Sequence, residues 1–377
     1  MKQVMISGYY GFHNAGDEAI LSALCQLFEN YPVQLNVLTA GTRHELPGCY
    51  FKSIQRTNLP EIFRALRNCD LFISGGGGLF QDVTGLGSVP YYGGLLKMAQ
   101  AMKVPTMVFG QGIGPLKYGL NRWFLKQIFK NVNAISVRDE ESYEFLQRLG
   151  MGQQQQLHLT ADPVLTLNAV HPHHARELLL NEGVDPTLPM IGVSIRPWRT
   201  WFEKQLKAFT AVLAQFARTC GAQLVLIPFQ PNHDTWMCDE VAYSLMSRPH
   251  APTVTVLRGH YSPIEVQGMI GCLEMMVGMR LHALIMSAAE YVPAVGLVYD
   301  PKVRRFAEQA GYKYMSSITA LNNVDYFYDY LTYTWTHRDA IKAQLHAKMP
   351  PLQARVYTAR ENALRLMNLN TVQRESA

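Results

Sequence analysis

The fold of this chain is constrained most by two series of short apolar segments. In each series, a glycine-rich turn or a loop follows the apolar segment, and a helical pattern follows the turn. In the first series, the segment at 69–74 precedes four glycines and the segment at 106–110 precedes a second glycine-rich turn. The second series begins after Asp162 and Pro163. Because apolar segments joined by helices form parallel sheets that are covered on both faces, the pattern predicts an α/β fold with two Rossmann-like domains.

The length of 377 residues supports two domains, because a single core rarely grows to this size. We expect an N-terminal, acceptor-side domain over 1–168 and a C-terminal, donor-side domain over 169–348. A helix (353–369) within 349–377 is expected to pack back across both domains before a tail, and the histidine-rich segment 171–189 is the expected connection. This architecture is that of GT-B glycosyltransferases, and it predicts a ligand site in a cleft where the two domains face each other.

Composition and charge limit the class of protein. Hydrophobic residues make up 48% and charged residues 17%, which excludes a disordered chain. The N-terminus lacks the apolar run of a signal peptide, so a cytoplasmic protein is expected. Between Val83 and Arg138 there are seven cations and no Asp or Glu. This distribution predicts an anionic partner for the N-terminal half, and nothing in the sequence indicates nucleic acid.

Three loops are expected at the carboxyl edge of the first sheet. Asn14 and Asp17 follow the first strand and have side chains suited to sugar hydroxyls, although Asp17 equally suits a helix cap. Two further loops contain runs of glycine, which allow close approach of a ligand or of another chain segment. None has the spacing of a P-loop or a dinucleotide fingerprint. The residues predicted to bind an acceptor are Asn14, Asp17, Gly77, Gly78 and Gln111.

Cations follow three strands predicted in the second series. Arg196 directly follows the segment 190–195. Arg280 and His282 lie between a predicted strand and the start of the next helix. Cations at a helix N-terminus are unfavourable for the helix itself, so a bound anion explains them better than stability does. Lys302 follows the next strand and is expected at the same edge. The pattern predicts a site for a small anion.

These motifs resemble those of the polysaccharide pyruvyl transferases, and most closely the CsaB-type enzymes of cell-wall polymer synthesis. The resemblance extends from Met1 to about Ala310. The motifs concerned are GYYGFHNAGDEAIL, SGGGGLFQD, GQGIGPL, SVRDEES, ADPV, GVSIRPW, GMRLHALI and YDPKVRRF.

The resemblance implies transfer of pyruvate from phosphoenolpyruvate onto two hydroxyls of a sugar as a cyclic ketal, with no bound cofactor. In CsaB-type enzymes the acceptor is N-acetylmannosamine in a lipid-linked precursor of the wall polymer that anchors S-layer proteins. By position, Arg280, Leu281 and His282 match the family's donor-binding segment. Arg196 matches its donor-side arginine, and Lys302 lies in its DPKV pattern.

The chemistry of this reaction suggests roles for individual residues. Phosphoenolpyruvate is a trianion near neutral pH, so Arg196, Arg280 and Lys302 are expected to bind it. His282 is predicted to be the general acid that protonates the vinyl carbon, and Lys302 to hold the phosphate or carboxylate. No carboxylate cluster is evident at the donor edge, so no metal is expected.

The segment 119–131 has two alternative interpretations. Arg122, Lys126 and Lys130 recur at helical spacing, and the apolar residues beside them are Trp123, Phe124, Ile128 and Phe129. This pattern suits an ordinary helix with a solvated basic face, or a helix that contacts anionic lipid at the inner face of the membrane. Arg122 is also a candidate catalytic residue that points into the cleft and binds a phosphate.

Two other functions compete with pyruvyl transfer. A GT-B glycosyltransferase would use a nucleotide sugar, but retaining members place acidic residues along the donor helix, and here none occurs between Arg280 and Glu290. A non-catalytic polysaccharide-binding protein would leave the convergent cations unexplained. The sequence does not predict an oligomeric state.

Overall fold

The computed structural model describes residues 1–42, 44–83, 85, 87–152, 156–199 and 201–369. The chain forms two compact units. Unit 1 comprises residues 1–12, 17–166 and the C-terminal residues from 351, and unit 2 comprises residues 13–16 and 167–350. The tail expected after the last helix, at 370–377, lies outside the described residues.

Unit 1 contains a seven-stranded sheet in the order β3-β2-β1-β4-β5-β6-β7, and its paired strands are parallel. The strands are β1 (Lys2–Tyr10), β2 (Val33–Thr39), β3 (Phe51–Gln55), β4 (Leu71–Ser74), β5 (Thr106–Gln111), β6 (Ala134–Val137) and β7 (Gln156–Leu159). The helices are α1 (Ala15–Phe28), α2 (Leu59–Leu66), α3 (Ser88–Ala101), α4 (Gly119–Phe129) and α5 (Glu140–Arg148).

Unit 2 contains a six-stranded parallel sheet in the order β10-β9-β8-β11-β12-β13. Its strands are β8 (Met190–Ser194), β9 (Gln223–Leu226), β10 (Val254–Val256), β11 (Met275–Gly278), β12 (Ala294–Leu297) and β13 (Lys313–Met315). The helices are α6 (Pro172–Asn181), α7 (Glu203–Cys220), α8 (Pro231–Met246), α9 (Pro263–Gly271), α10 (Leu281–Ala289), α11 (Pro301–Ala310) and α12 (Val324–Thr336). The last helix, α13 (Arg338–Leu366), begins in unit 2 and belongs to unit 1 from residue 351.

The central strands explain why the sequence pattern was informative. Every residue of β4, β5, β8 and β11 is buried, so these strands consist almost wholly of apolar and small residues. Phe72 and Val108 lie in the core of unit 1, and Val193 and Phe209 lie in the core of unit 2. The prediction of an α/β fold with two Rossmann-like domains is confirmed.

Each sheet reverses its strand order at one place, between β1 and β4 in unit 1 and between β8 and β11 in unit 2. In open parallel sheets, ligands bind beyond the carboxyl ends of the strands at this position. The loops that follow these four strands contain most of the predicted site residues. The topology therefore indicates a candidate site in each unit.

Two sequence predictions differ from the structure. The segment 171–189 is not a connection between domains, because α6 lies within unit 2 and Val170, just before it, packs against Gly268 of α9. The final helix does not begin at Gln353 after two prolines, since α13 is continuous from Arg338. Among the described residues, no helix is long and apolar enough to cross a membrane.

Candidate functional site

The strand reversal in unit 2 brings two predicted arginines to one edge of the sheet. Ser194 at the end of β8 pairs with Gly278 at the end of β11, and Met279 N donates to Ser194 O at 2.7 Å. Arg196 and Arg280 each follow that pair by two residues. They therefore lie at the carboxyl ends of adjacent strands.

Arg196, Tyr299 and Lys302 form a cluster at this edge, which we call the cationic cluster. Arg196 Nη1 donates to the hydroxyl of Tyr299 at 3.3 Å, and its guanidinium lies 5.1 Å from the centre of the Tyr299 ring and 5.6 Å from that of Trp198. Lys302 Nζ lies 6.0 Å from the Tyr299 ring centre and 3.8 Å from Asp300. Tyr299 thus links two of the predicted donor-binding residues.

The environment of Arg196 favours an additional anion. Within the described part of the chain, its Nε is buried without a hydrogen-bond partner, and no carboxylate lies within 4.0 Å of its guanidinium. Aromatic rings stabilise a cation by only about 0.5–2 kcal/mol, and a buried polar group without a partner is costly. A carboxylate or phosphate would supply both the missing acceptor and the missing charge.

Arg280 is engaged differently, in a buried ion pair. Its Nε and Nη2 donate to the two carboxylate oxygens of Asp234 at 3.0 and 2.5 Å. Asp234 lies in the first turn of α8 and also accepts from Gln230 N at 2.9 Å. Arg280 is 7% exposed and Asp234 is fully buried. The charge of Arg280 is therefore largely compensated within the protein by Asp234.

His282 lies in the first turn of α10, the helix that Arg280 precedes. A Cβ atom built on Gly16 would lie 2.1 Å from His282 Nδ1 and 2.6 Å from its Cγ. The segment 13–16 belongs to unit 2, and Ala15 N donates to Phe229 O at 2.7 Å. Gly16 is thus the residue that leaves room for the imidazole. Leu281 is buried at the start of the helix, so its side chain packs in the core.

The first glycine-rich loop is held by its own polar residues. Asn14 Oδ1 accepts from Gly16 N at 3.2 Å, so Asn14 rather than Asp17 caps the first turn of α1. Glu18 accepts from Gly11 N at 2.8 Å, and its other oxygen lies 2.8 Å from His44 Nε2. Asp17 is half-buried beside Gly77, where an added Cβ would lie 3.2 Å from Asp17 Oδ1.

Close chain packing explains three of the four consecutive glycines. A Cβ on Gly75 would lie 2.3 Å from the Tyr10 hydroxyl, one on Gly76 would lie 3.0 Å from Ile20, and Gly77 has a φ of +94°. Gly78 is exposed with open space around it. Of this run, Gly78 is the residue that a ligand can reach directly.

Gln111 differs from its expected role. It is fully buried, and its Nε2 donates to Ser74 Oγ at 2.8 Å and to Gly75 O at 2.5 Å. Because this side chain has no solvent access, its burial does not support the prediction that Gln111 binds the acceptor. Gln111 instead joins the loops after β4 and β5.

Two other sequence motifs meet in a buried ion pair within unit 1. Arg138 Nη1 donates to Asp162 Oδ2 at 2.7 Å, and both side chains are buried. A Cβ on Gly112 would lie 3.0 Å from the Arg138 guanidinium. The arginine of SVRDEES and the aspartate of ADPV therefore have a structural explanation, in which they fix the glycine loop after β5.

A second cation–aromatic cluster, which the sequence motifs do not predict, lies at the carboxyl edge of the sheet in unit 1. The guanidinium of Arg56 lies 4.3 Å from the ring centre of Tyr91 and 5.3 Å from that of Phe12. Phe12 stacks on Tyr9 with ring centres 4.1 Å apart. Arg56 directly follows β3, and that position was the signal available in the sequence. Tyr299 and Asp234 were missed in unit 2 for a similar reason, because each depends on a partner distant in sequence.

The basic stripe on α4 is partly as predicted. Arg122 and Lys130 are exposed and Lys126 is half-buried. Ile128 and Phe129, however, are fully buried in the core of unit 1, so the prediction of an apolar surface formed by these residues is wrong. Trp123, which was predicted beside the stripe, is exposed. Two residues outside that prediction, Tyr118 and Leu120, add exposed apolar area at the start of the helix.

No group of three or more His, Cys, Asp or Glu side chains in the described ranges is placed to hold a metal ion. The six cysteines are free thiols, of which Cys25 and Cys238 are buried.

A sequence model of the family described as polysaccharide pyruvyl transferase matches residues 14–301, which is more than half of the chain. That range includes Asn14, Arg196, Arg280 and His282, and it ends one residue before Lys302.

Proteins of known structure resemble the chain over nearly its whole length. A putative UDP-N-acetylglucosamine 2-epimerase from Listeria monocytogenes has a TM-score of 0.63 and 12% identity, covering 100% of this chain and 99% of that one. UDP-GlcNAc 2-epimerase from Neisseria meningitidis bound to UDP-GlcNAc has a TM-score of 0.61 and 12% identity, and the match covers 97% of this chain and 100% of that one. HepE of Anabaena in complex with UDP and glucose has a TM-score of 0.60 and 9% identity, and the match covers 98% of this chain and 100% of that one. These identities show the fold alone, which is the predicted GT-B type with two Rossmann-like domains.

Proposed function

Because the chain belongs to the polysaccharide pyruvyl transferase family, we propose that it transfers pyruvate from phosphoenolpyruvate onto two hydroxyls of a sugar. The product is a cyclic ketal, and inorganic phosphate is released. The acceptor proposed is N-acetylmannosamine in a lipid-linked precursor of a cell-wall polysaccharide, as in the CsaB-type enzymes. Phosphoenolpyruvate is a co-substrate here, and no further cofactor is proposed.

The observation that supports this proposal most is the cationic cluster in unit 2. Arg196 has a buried Nε without a partner among the described residues and contacts Tyr299, and Lys302 Nζ lies 6.0 Å from the centre of the same Tyr299 ring. A small ligand with a carboxylate and a phosphate matches two cations arranged around one ring. The planar fork of Arg196 suits the carboxylate, and the point charge of Lys302 suits the phosphate.

The helix N-terminus after β11 adds to this attraction. The first amides of α10 and the helix dipole favour an anion, and the Arg280–Asp234 pair holds the residue that precedes the helix. Because the pair contributes little net charge, we assign donor attraction mainly to Arg196 and Lys302. Arg280 is assigned the role of fixing the geometry of that edge.

His282 is proposed as the proton donor. Protonation of the vinyl carbon makes C2 of the donor electrophilic, and a sugar hydroxyl then adds to C2 and loses its proton. The C2–O bond to phosphate breaks with its electron pair, and the second hydroxyl adds at C2 and loses its proton to the departing phosphate, which closes the ring. A positioned general acid contributes about 10²- to 10⁴-fold in rate. Proton donation requires space for the imidazole, and Gly16 leaves that space, since a Cβ at this position would lie 2.1 Å from His282 Nδ1.

We propose fewer acceptor-binding residues than the sequence predicted. Asn14 and Asp17 remain proposed hydroxyl-binding residues because both are partly accessible, and Gly78 is accessible in its loop. Arg122 remains a proposed phosphate contact, on an exposed face of α4. We further propose that this face contacts anionic lipid at the inner face of the membrane, where a lipid-linked acceptor would be located.

Mass spectrometry of the acceptor tests the proposed reaction. The purified protein is incubated with phosphoenolpyruvate and the N-acetylmannosamine-containing lipid-linked acceptor, and released phosphate is measured in the same sample. We expect the acceptor to gain the mass of pyruvic acid less water, with one phosphate released for each transfer. Arg196→Ala should abolish both signals at limiting donor.

Two results would contradict the proposal. Transfer of a sugar from a nucleotide sugar, without any response to phosphoenolpyruvate, would identify a GT-B glycosyltransferase instead. Binding of the polysaccharide without turnover of either donor would identify a non-catalytic binding protein.

A further inference from the structure

Unit 2 contains an aromatic cavity of about 460 Å³ beside the cationic cluster. It lies between the segment that follows β8, together with the first turn of α7, and residues 236–240 of α8. Its walls include Trp198, Trp201, Phe202 and Trp236. This volume falls within the roughly 300–1,000 Å³ of small-ligand sites, so it is large enough for a sugar ring and too small for a polymer.

The cavity and the cationic cluster share a wall. The ring of Trp198 lines the cavity, and it also lies 4.9 Å from the ring of Tyr299, edge to face, with the Arg196 guanidinium 5.6 Å from its centre. Trp201 is held in place by a hydrogen bond from its Nε1 to Arg196 O at 3.0 Å. A ligand in the cavity would therefore lie next to the anion held by Arg196.

Two of the rings at the cavity are exposed without an evident structural reason. Trp236 is 56% exposed and Phe202 is 60% exposed, although both border the same space. Large adjacent apolar rings on a surface commonly mark a binding site. Neither ring belongs to the buried core of unit 2, so their placement does not contribute to that core.

The charges around the cavity nearly cancel. Glu203 pairs with Lys207, while Arg199 and Glu240 lie on the lining with opposite charges. A phosphate or an anionic lipid headgroup would gain little net attraction there. Carboxylates near aromatic faces suit an uncharged ligand that has both apolar faces and hydroxyl donors. A pyranose ring is such a ligand, because it has C–H groups on its faces and hydroxyls on its edge.

We propose that this cavity binds a sugar ring of the acceptor saccharide, with Trp236 as the main stacking residue. This inference rests on the proposed function, since it takes the acceptor to be a saccharide. It adds a specificity site next to the donor, distinct from the hydroxyl-binding residues proposed above.

A matched pair of variants on α8 tests the inference. Trp236→Ala removes the exposed ring at the cavity, and Tyr243→Ala removes a ring that is 72% exposed on the same helix but does not line the cavity. Saturation-transfer NMR measures binding of the methyl glycoside of N-acetylmannosamine to both variants and to the unmodified protein. Circular dichroism checks that each variant is folded.

We expect Trp236→Ala to weaken glycoside binding about tenfold, the effect typical of truncating a central aromatic anchor, and Tyr243→Ala to leave it unchanged. The KM for acceptor should rise by a similar factor in Trp236→Ala, while the KM for phosphoenolpyruvate stays within about twofold. Equal glycoside binding in the two variants would overturn the inference. So would Trp236-dependent binding of uridine or farnesyl phosphate in place of the glycoside.

The failure of this inference is distinguishable from failure of the proposed function. Pyruvyl transfer with the same acceptor KM in Trp236→Ala would leave the function intact and remove the cavity from acceptor binding. Trp236-dependent glycoside binding without any pyruvyl transfer would support a saccharide site in a protein of different activity.

Discussion

Substitution of Gly16 by Ala tests whether the position of His282 controls turnover. Gly16 lies in the first turn of α1 with an ordinary helical backbone, so the added methyl introduces no φ strain. The methyl carbon would lie 2.1 Å from His282 Nδ1 and 3.0 Å from its Cβ. Since nonbonded atoms require about 3.5 Å, the imidazole or the loop must move by roughly 1 Å or more.

The expected cost follows from that displacement. A misplacement of about 1 Å in a catalytic group lowers the rate about 100-fold, which corresponds to roughly 2.7 kcal/mol of activation free energy. The fold should be little affected, because Ala is favoured over Gly in a helix by up to about 1 kcal/mol, which offsets part of the strain. Gly94→Ala, in α3, is the matched control, since nothing lies within 4 Å of its added Cβ.

Steady-state phosphate release and donor titration measure the effect separately. We expect kcat to fall about 100-fold in Gly16→Ala, with phosphoenolpyruvate affinity within about threefold of the unmodified protein. In a His282→Ala background, where turnover is already lost, Gly16→Ala should add less than about twofold, because both changes act on one group. Turnover in Gly16→Ala equal to that in Gly94→Ala would refute the assignment of His282 as the proton donor.

Four further outcomes are expected. Arg280→Ala leaves Asp234 buried and unpaired, so urea unfolding should show a loss of about 3–5 kcal/mol, and an unchanged midpoint would show that the pair is not needed for stability. Lys302→Ala removes a partly exposed cation and should weaken phosphoenolpyruvate about tenfold without changing stability; unaltered affinity would place the anion elsewhere. Activity should survive EDTA, and a loss reversed by added metal would contradict the site. Lys126→Glu/Lys130→Glu should reduce sedimentation with anionic vesicles and activity on lipid-linked acceptor while sparing a soluble analogue, and no vesicle binding by the unmodified protein would leave the stripe as a solvated face.

The sequence predicted the fold well because its central strands are buried on both faces. The apolar segments predicted at 106–110 and 190–195 agree within one residue with β5 and β8. The edge strands β3 and β13 were missed, because half-buried residues there weaken the apolar pattern. The helix α13 begins earlier than the sequence predicts, because the Pro-Pro pair at 350–351, which favours a helix boundary, lies inside it.

The site was predictable only as far as it depends on local sequence. Arg196, Arg280, His282 and Lys302 follow strands, so topology alone placed them near one edge. Their partners were not predictable, because the Arg280–Asp234 pair spans 46 residues and the Arg196–Tyr299 contact spans 103. The same limit applies to Gln111, whose burial depends on contacts with the loop after β4.

Calorimetric titration of phosphoenolpyruvate into the purified protein tests the central claim most directly, because it measures the donor site without requiring the acceptor. We expect saturable binding that inorganic phosphate weakens by competition. This binding should be lost in Arg196→Ala and retained in His282→Ala. Saturable binding of UDP with no heat from phosphoenolpyruvate, or equal phosphoenolpyruvate affinity in Arg196→Ala and the unmodified protein, would contradict it.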